Sequence, residues 1–213
     1  LYNYTEGYGS YLIPAVMMII IFQTLLMVIG MVTGEEYSSD GIRTYAPFGH
    51  TWAAAIRIVA GKAFVYCGLY AIFSFFLLGL LPYFFSIPNI GNGLYIVLLM
   101  IPYLIATSFL GLAASRYFTD SEAPLLMIAF FSVGLIFLSG VSYPMELMPW
   151  YWKAAHYILP AAPATLAFVQ LNSMGASMAD IRPEYITLWI QVLVYFILSI
   201  WVYQKKLQKS QLR

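Results

Sequence analysis

Long apolar runs separated by short polar islands organise this chain. From residue 63 to residue 115 there are 53 positions without an Asp, Glu, Lys or Arg. A hydrocarbon core of roughly 30 Å needs only about 20 helical residues. The run therefore predicts two crossings, joined at 86–93 (SIPNIGNG), where proline, asparagine and glycine interrupt the aromatic and aliphatic pattern. Three further charge-free runs, 7–34, 123–145 and 185–204, are each long enough to span a bilayer. The pattern thus predicts five helical crossings, at 12–33, 63–85, 94–115, 124–143 and 185–204. The runs are too long and too uniformly apolar for the alternating strands of a barrel. Residues 154–179 also lack charge, but Pro160, Pro163, Gln170, Asn172 and Gly175 make them a poor lipid-facing helix. The expectation for 144–180 is a broken, re-entrant helical pair on the outer face, because non-helical backbone survives at depth only when protein or water shields it. The fold class is all-α, a polytopic integral membrane protein.

Composition agrees: 62% hydrophobic and 9% charged residues is far from the roughly 25% charged of soluble domains. With five crossings the ends lie on opposite sides, and the cations decide which end is inside. Arg43, Arg57, Lys62, Arg116, Lys205, Lys206, Lys209 and Arg213 share one side, and only Lys153 and Arg182 fall on the other. The C-terminal tail is therefore expected in the cytoplasm and the N-terminus outside. A sixth crossing through 154–179 would erase this asymmetry. The net charge of +1, with scattered cations, argues against nucleic acid as a partner. Cys67 is the lone cysteine, so neither a disulfide nor a cysteine cluster can form within the chain. The run 12–32 is too long for the apolar core of a signal peptide. The chain opens on Leu1, which fits a fragment of a longer protein.

Chemistry is mostly conspicuous by omission. The five predicted spans hold no acid or histidine, the usual marks of proton-driven carriers. His50 and His156 each lack a second ligand nearby, so no metal site is expected. Gly61 and Lys62 lack the upstream glycine and the following Ser or Thr of a phosphate-binding loop. Ser139-Gly140 ends a span as a serine nucleophile would, but Phe137 stands where a glycine is expected and no span offers a partner histidine. No catalytic residue is expected.

What remains is a charged island from Glu35 to Lys62. Ser38, Ser39 and Asp40 are capping types, Pro47 and Gly49 break the chain, and Thr51 can cap a helix that runs through Arg57 and Lys62 into the second span. A short helix near 42–46 would then lie at the cytoplasmic surface. One reading is a solvated turn with snorkelling cations. The other is a docking knob that passes a push from a soluble partner into two long helices, since helices move as bodies.

Two stretches carry a resemblance. Residues 36–43 (EYSSDGIR) resemble the element after the first of these spans in ABC-2-type permeases, an acidic stretch followed by a pattern close to S-G-T-I-R. Residues 137–177 are similar to that family's order of span end, S-G, P-x-x-x-M-P, a leucine-rich helix, L-P and G-A. The matching positions are Ser139, Gly140, Pro144, Met148, Pro149, Leu159, Pro160, Gly175 and Ala176.

The resemblance covers the whole chain as the last five of six spans of an exporter-like permease. It implies a preceding span and an extracytoplasmic domain, a dimer with itself or a related permease subunit, and a separate ABC ATPase that binds ATP and Mg. This chain itself would bind no cofactor. It places coupling to the ATPase on Glu35, Glu36, Ile42, Arg43 and Tyr45, within 35–61. The translocation path would run past Gln23, Thr24, Phe130, Phe131 and Ser132, and the outer gate would involve Pro144, Met148, Pro149 and Pro160. Ordinary helix packing is the competing account of the path residues. The expected function is a permease subunit in the cytoplasmic membrane, moving a substrate outward. An adjacent periplasmic adaptor would mark drug efflux. The rival is a membrane anchor that assembles a complex and transports nothing.

Overall fold

The computed structural model describes residues 8–38, 51–85, 90–118, 122, 124–125, 134–143 and 145–210. Among these the regular structure is helical throughout. The long elements are α1 (Tyr8–Ser38), α2 (Trp52–Phe75), α4 (Gly93–Ala114) and α7 (Arg182–Ser210). Between α2 and α4 a π-helical turn (Phe76–Leu80) leads into the short α3 (Leu81–Phe84). Before α7 come α5 (Trp150–Ile158) and α6 (Ala161–Met174).

Local chemistry explains most of these boundaries. Thr51 caps α2 as its sequence position suggests, its Oγ1 accepting the Ala54 amide at 3.3 Å. The helix starts well before the apolar window at 63, because Trp52 to Lys62 have no breaker and the cap sets the start. The π turn precedes Pro82, whose missing amide cannot bond back into the helix. Instead the Leu81 amide reaches Phe76 O, a widening that absorbs the gap. Asn92 caps α4, its Oδ1 accepting from the Leu94 amide at 3.0 Å. Gly175, at φ +64, ends α6 in the left-handed region, and the Ala176 amide closes on Gln170 O at 3.0 Å. The Gly-Ala pair singled out in the sequence is thus a helix stop.

Four of these helices, 12–37, 52–84, 93–114 and 182–208, are long and apolar enough to cross a bilayer. Of the five expected crossings, the one at 124–143 lies outside the described residues over 126–133, and the short helix expected at 42–46 lies outside them entirely. Helical residues at 124–125 and 134–138 flank the undescribed part. The expected broken pair is present: α5 and α6 meet at an angle of 88°.

α4 is the hub, packed against α1, α2, α6 and α7, and most extensively against α7. Its fully buried Tyr103 donates its hydroxyl to Met18 O of α1 at 2.7 Å. Gly111 lets α1 come close, since a Cβ there would sit 2.9 Å from Ile29 Cδ1. Gly30 does the same for Pro124, at 2.6 Å. At both positions the missing side chain is what allows the close approach. α2 is the opposite case, exposing Phe64, Leu69, Ile72 and Phe75. Such a face suits hydrocarbon or another helix, and the protein is a multi-pass membrane protein.

Candidate coupling junction and outer hinge

Two polar assemblies stand out, one at each end of the bundle. The first gathers the end of α1, the first half of α2, the end of α4 and the last third of α7. Glu36, near the last turn of α1, forms an ion pair with Lys62 of α2. Lys62 also donates to the Tyr203 hydroxyl of α7 at 3.1 Å. Tyr203 lies between two cations, with Lys62 Nζ 5.0 Å and Lys206 Nζ 5.2 Å from its ring centre. Lys206 in turn donates to the carbonyl and hydroxyl oxygens of Ser115 on α4, at 3.0 Å each. Beside them the exposed Trp201 ring carries Lys205 at 3.8 Å and Arg116 at 5.6 Å. The side chains of Lys62 and Glu36 retain only 12% and 21% of their exposure, so the pair is shielded far better than a surface salt bridge.

Glu36 was among the expected coupling residues, and it sits in this junction. Glu35 is exposed one position earlier. Ile42, Arg43 and Tyr45 lie outside the described residues. Sequence reasoning missed Tyr203, Lys206 and Ser115. The available signal was the i, i+3 spacing of Tyr203 and Lys206, which puts both on one face of the last helix.

The second assembly braces the break between α5 and α6. Leu159 is extended and Pro160 turns the chain into α6, so the last carbonyls of α5 lack helical donors. α7 supplies them: Gln191 Nε2 donates to Tyr157 O at 2.8 Å, and the Tyr195 hydroxyl donates to Ile158 O. On the other side the buried His156 ring donates from Nδ1 to Leu138 O at 2.7 Å. Ser139, next along, gives its hydroxyl proton to Ile136 O at 2.7 Å and accepts weakly from the Val141 amide. That is the bonding of a helix terminus, not of a nucleophile. α6 itself is almost wholly buried, because Ala161, Ala162, Ala164 and Ala167 let its neighbours close around it.

Of the expected gate residues, Met148 is buried, Pro149 starts α5 and Pro160 starts α6. Pro144 lies outside the described residues. Of the expected path residues, Gln23 and Thr24 are half-buried on α1. Thr24 donates to Ile20 O of its own helix at 2.7 Å. Phe130, Phe131 and Ser132 lie outside the described residues. Among the described residues no group of His, Cys, Asp or Glu is placed to hold a metal ion.

No curated protein and no solved structure matches the chain. Residues 1–201, however, match the family described as ABC-2 family transporter protein. With a bundle of long apolar helices and a sharply bent helical pair, this chain belongs to the ABC-2 family of transporter proteins.

Proposed function

We propose that the chain is the membrane-spanning permease subunit of an ATP-driven exporter in the cytoplasmic membrane. A separate ABC ATPase binds and hydrolyses ATP with Mg, and a second permease copy or a related subunit completes the channel. The charged island 35–61, with Ile42, Arg43 and Tyr45, receives the ATPase. The junction of Glu36, Lys62, Tyr203, Lys206 and Ser115 then carries the push into four helices. One observation carries this reading: the Glu36–Lys62 pair brackets the island, so anything that moves the island loads both of its exits at once.

A crossing at 124–143 is supported by the two described flanks of 126–133. Pro124 lies against Gly30, whereas Val141 clusters with Ala15 and Val169. Gly30 and Ala15 are separated by roughly 22 Å along α1. The chain thus travels most of a bilayer between those two points. At the far end the α5–α6 break, with Met148, Pro149 and Pro160, forms the outer gate, and Gln23 and Thr24 border the path.

The purified chain is expected to hydrolyse no ATP. Robust hydrolysis without a partner would sink the reading. An anchor that transports nothing is separated by flux: charge reversal at Arg43 should abolish export while the complex with the ATPase still assembles.

A further inference from the structure

An elongated cavity of about 620 Å³ runs between α2 and α4. Its walls are two matched stripes. α2 and the π turn supply Cys67, Ala71, Ser74, Leu78 and Gly79, and α4 supplies residues between Gly93 and Ile105. From Cys67 to Gly79 the groove follows α2 for roughly 18 Å, more than one leaflet's share of a core about 30 Å thick. The volume falls in the ordinary ligand range of about 300–1,000 Å³.

Three properties indicate what fills it. First, the lining is apolar apart from the Cys67 thiol and the Ser74 hydroxyl, with the Met100 thioether its other heteroatom-bearing side chain, and apolar cavities exclude water and accept apolar guests. Second, the groove opens sideways within two bilayer-crossing helices, where lining residues Phe75, Val97 and Ile101 are 68%, 58% and 45% exposed. Third, Ser74 lines the cavity at 4% exposure, yet its hydroxyl has no hydrogen-bond partner among the described residues. Serine in an apolar helix ordinarily bonds its own backbone. A buried hydroxyl left unpaired is costly, and a guest with one polar function at that depth would satisfy it.

We propose that this groove is a lateral binding site for one alkyl chain of a single-chain amphiphile drawn from the bilayer, with the amphiphile's lone hydroxyl or carbonyl meeting Ser74. A diacyl phospholipid is held at the interface by its headgroup and ester carbonyls, whereas a single hydroxyl costs far less to bring to the depth of Ser74, so the phospholipid would fill the groove less well. Cys67, hydrogen-bonded to Ser108 at 3.4 Å, closes the end nearer the charged junction. The π turn widens the other end. The site is separate from the proposed ATPase-driven path, and it stands whether or not the chain exports.

The test uses the full-length protein in phosphatidylcholine vesicles with two photoreactive probes, a diazirine-bearing hexadecanol and a diazirine-bearing palmitoyl phosphatidylcholine. Labelled positions are mapped by peptide mass spectrometry. Hexadecanol should label the stripe 67–79 and 93–105 at least about fivefold more than it labels Phe64, which faces out at 81% exposure. Ser74→Ala should lower that ratio severalfold while leaving Phe64 labelling unchanged. Ala71→Phe, which fills the groove, should abolish the excess. Gly79→Leu provides a second filling variant should the first fail to fold, since a Cβ at Gly79 meets only the Phe75 ring at 3.8 Å. Stripe labelling no higher than at Phe64 would overturn the site, as it would if another helix covers the groove. Equal enrichment by the phospholipid probe, insensitive to Ser74→Ala, would overturn the assignment of the amphiphile.

Discussion

At the scale of single residues, Lys62 shows how little of a charge's meaning lies in its own neighbourhood along the chain. In sequence it closes a polar island and opens the longest uncharged stretch. In the fold it joins Glu36 of α1 to Tyr203 of α7. Replacing it by Met removes the nearest donor from a carboxylate that is mostly shielded. The expected loss is about 2 kcal/mol, within the range of hydrogen bonds to charged groups. The double change Lys62→Met with Glu36→Leu should recover much of it, because an apolar pair avoids the desolvation of both charges. Thermal unfolding in micelles checks both. Asp180 offers a pH test outside the spans. The Ser177 amide, and then its hydroxyl, each donate to Asp180 Oδ2 at 2.8 Å, and this holds the carboxyl below the ordinary carboxylate value. A lowered value means the turn is stabilised above the unfolded-state value and loses that stabilisation as pH falls through the folded one. Protection of the Ser177 amide from hydrogen exchange should therefore persist below the usual carboxylate range. Asp180→Asn should flatten its pH dependence.

Among the elements, glycines separate helices that merely need a residue from helices that need an absence. A Cβ added at Gly61 in α2 would meet nothing within 4 Å, whereas one at Gly111 would face Ile29 at 2.9 Å and one at Gly91 the Leu171 carbonyl oxygen at 2.5 Å. Gly61→Ala should stabilise by about 0.5–1 kcal/mol, the usual entropic gain in a helix interior. Gly111→Ala should destabilise modestly, because the Ile29 side chain can shift in part. Gly91→Ala should cost most, because a backbone carbonyl must move. Melting temperatures in one detergent should fall in the order Gly61→Ala, wild type, Gly111→Ala, Gly91→Ala. The same contrast explains what the sequence made legible. Thr51, Asn92, Pro160 and Gly175 act on adjacent backbone, so their roles could be read directly. The partnership of Tyr103 with Met18, or of Gln191 and Tyr195 with the end of α5, could not. A membrane helix that is apolar all round gives no stripe to mark which face meets which neighbour.

For the whole molecule, the junction at the charged end turns separate helices into a body that can be driven. Glu36 and Lys62 tie α1 to α2, Lys62 and Tyr203 tie α2 to α7, and Lys206 with Ser115 ties α7 to α4. A displacement of the island therefore cannot load one span alone. The consequence for the proposed coupling can be measured in vesicles with the proposed ATPase partner, following flux and hydrolysis together. Reversing either charge, Glu36→Lys or Lys62→Glu, puts like charges face to face. It should lower flux per ATP by about tenfold, inside the 5–150-fold span of typical coupling energies, while hydrolysis continues. The exchange Glu36→Lys with Lys62→Glu rebuilds an ion pair with reversed polarity. It should recover a large part of the coupled flux, though not all, because Tyr203 would then meet a carboxylate where it now meets an ammonium. If the exchange is as inactive as either single reversal, the pair serves a site that reads its polarity and not a mechanical tie between helices.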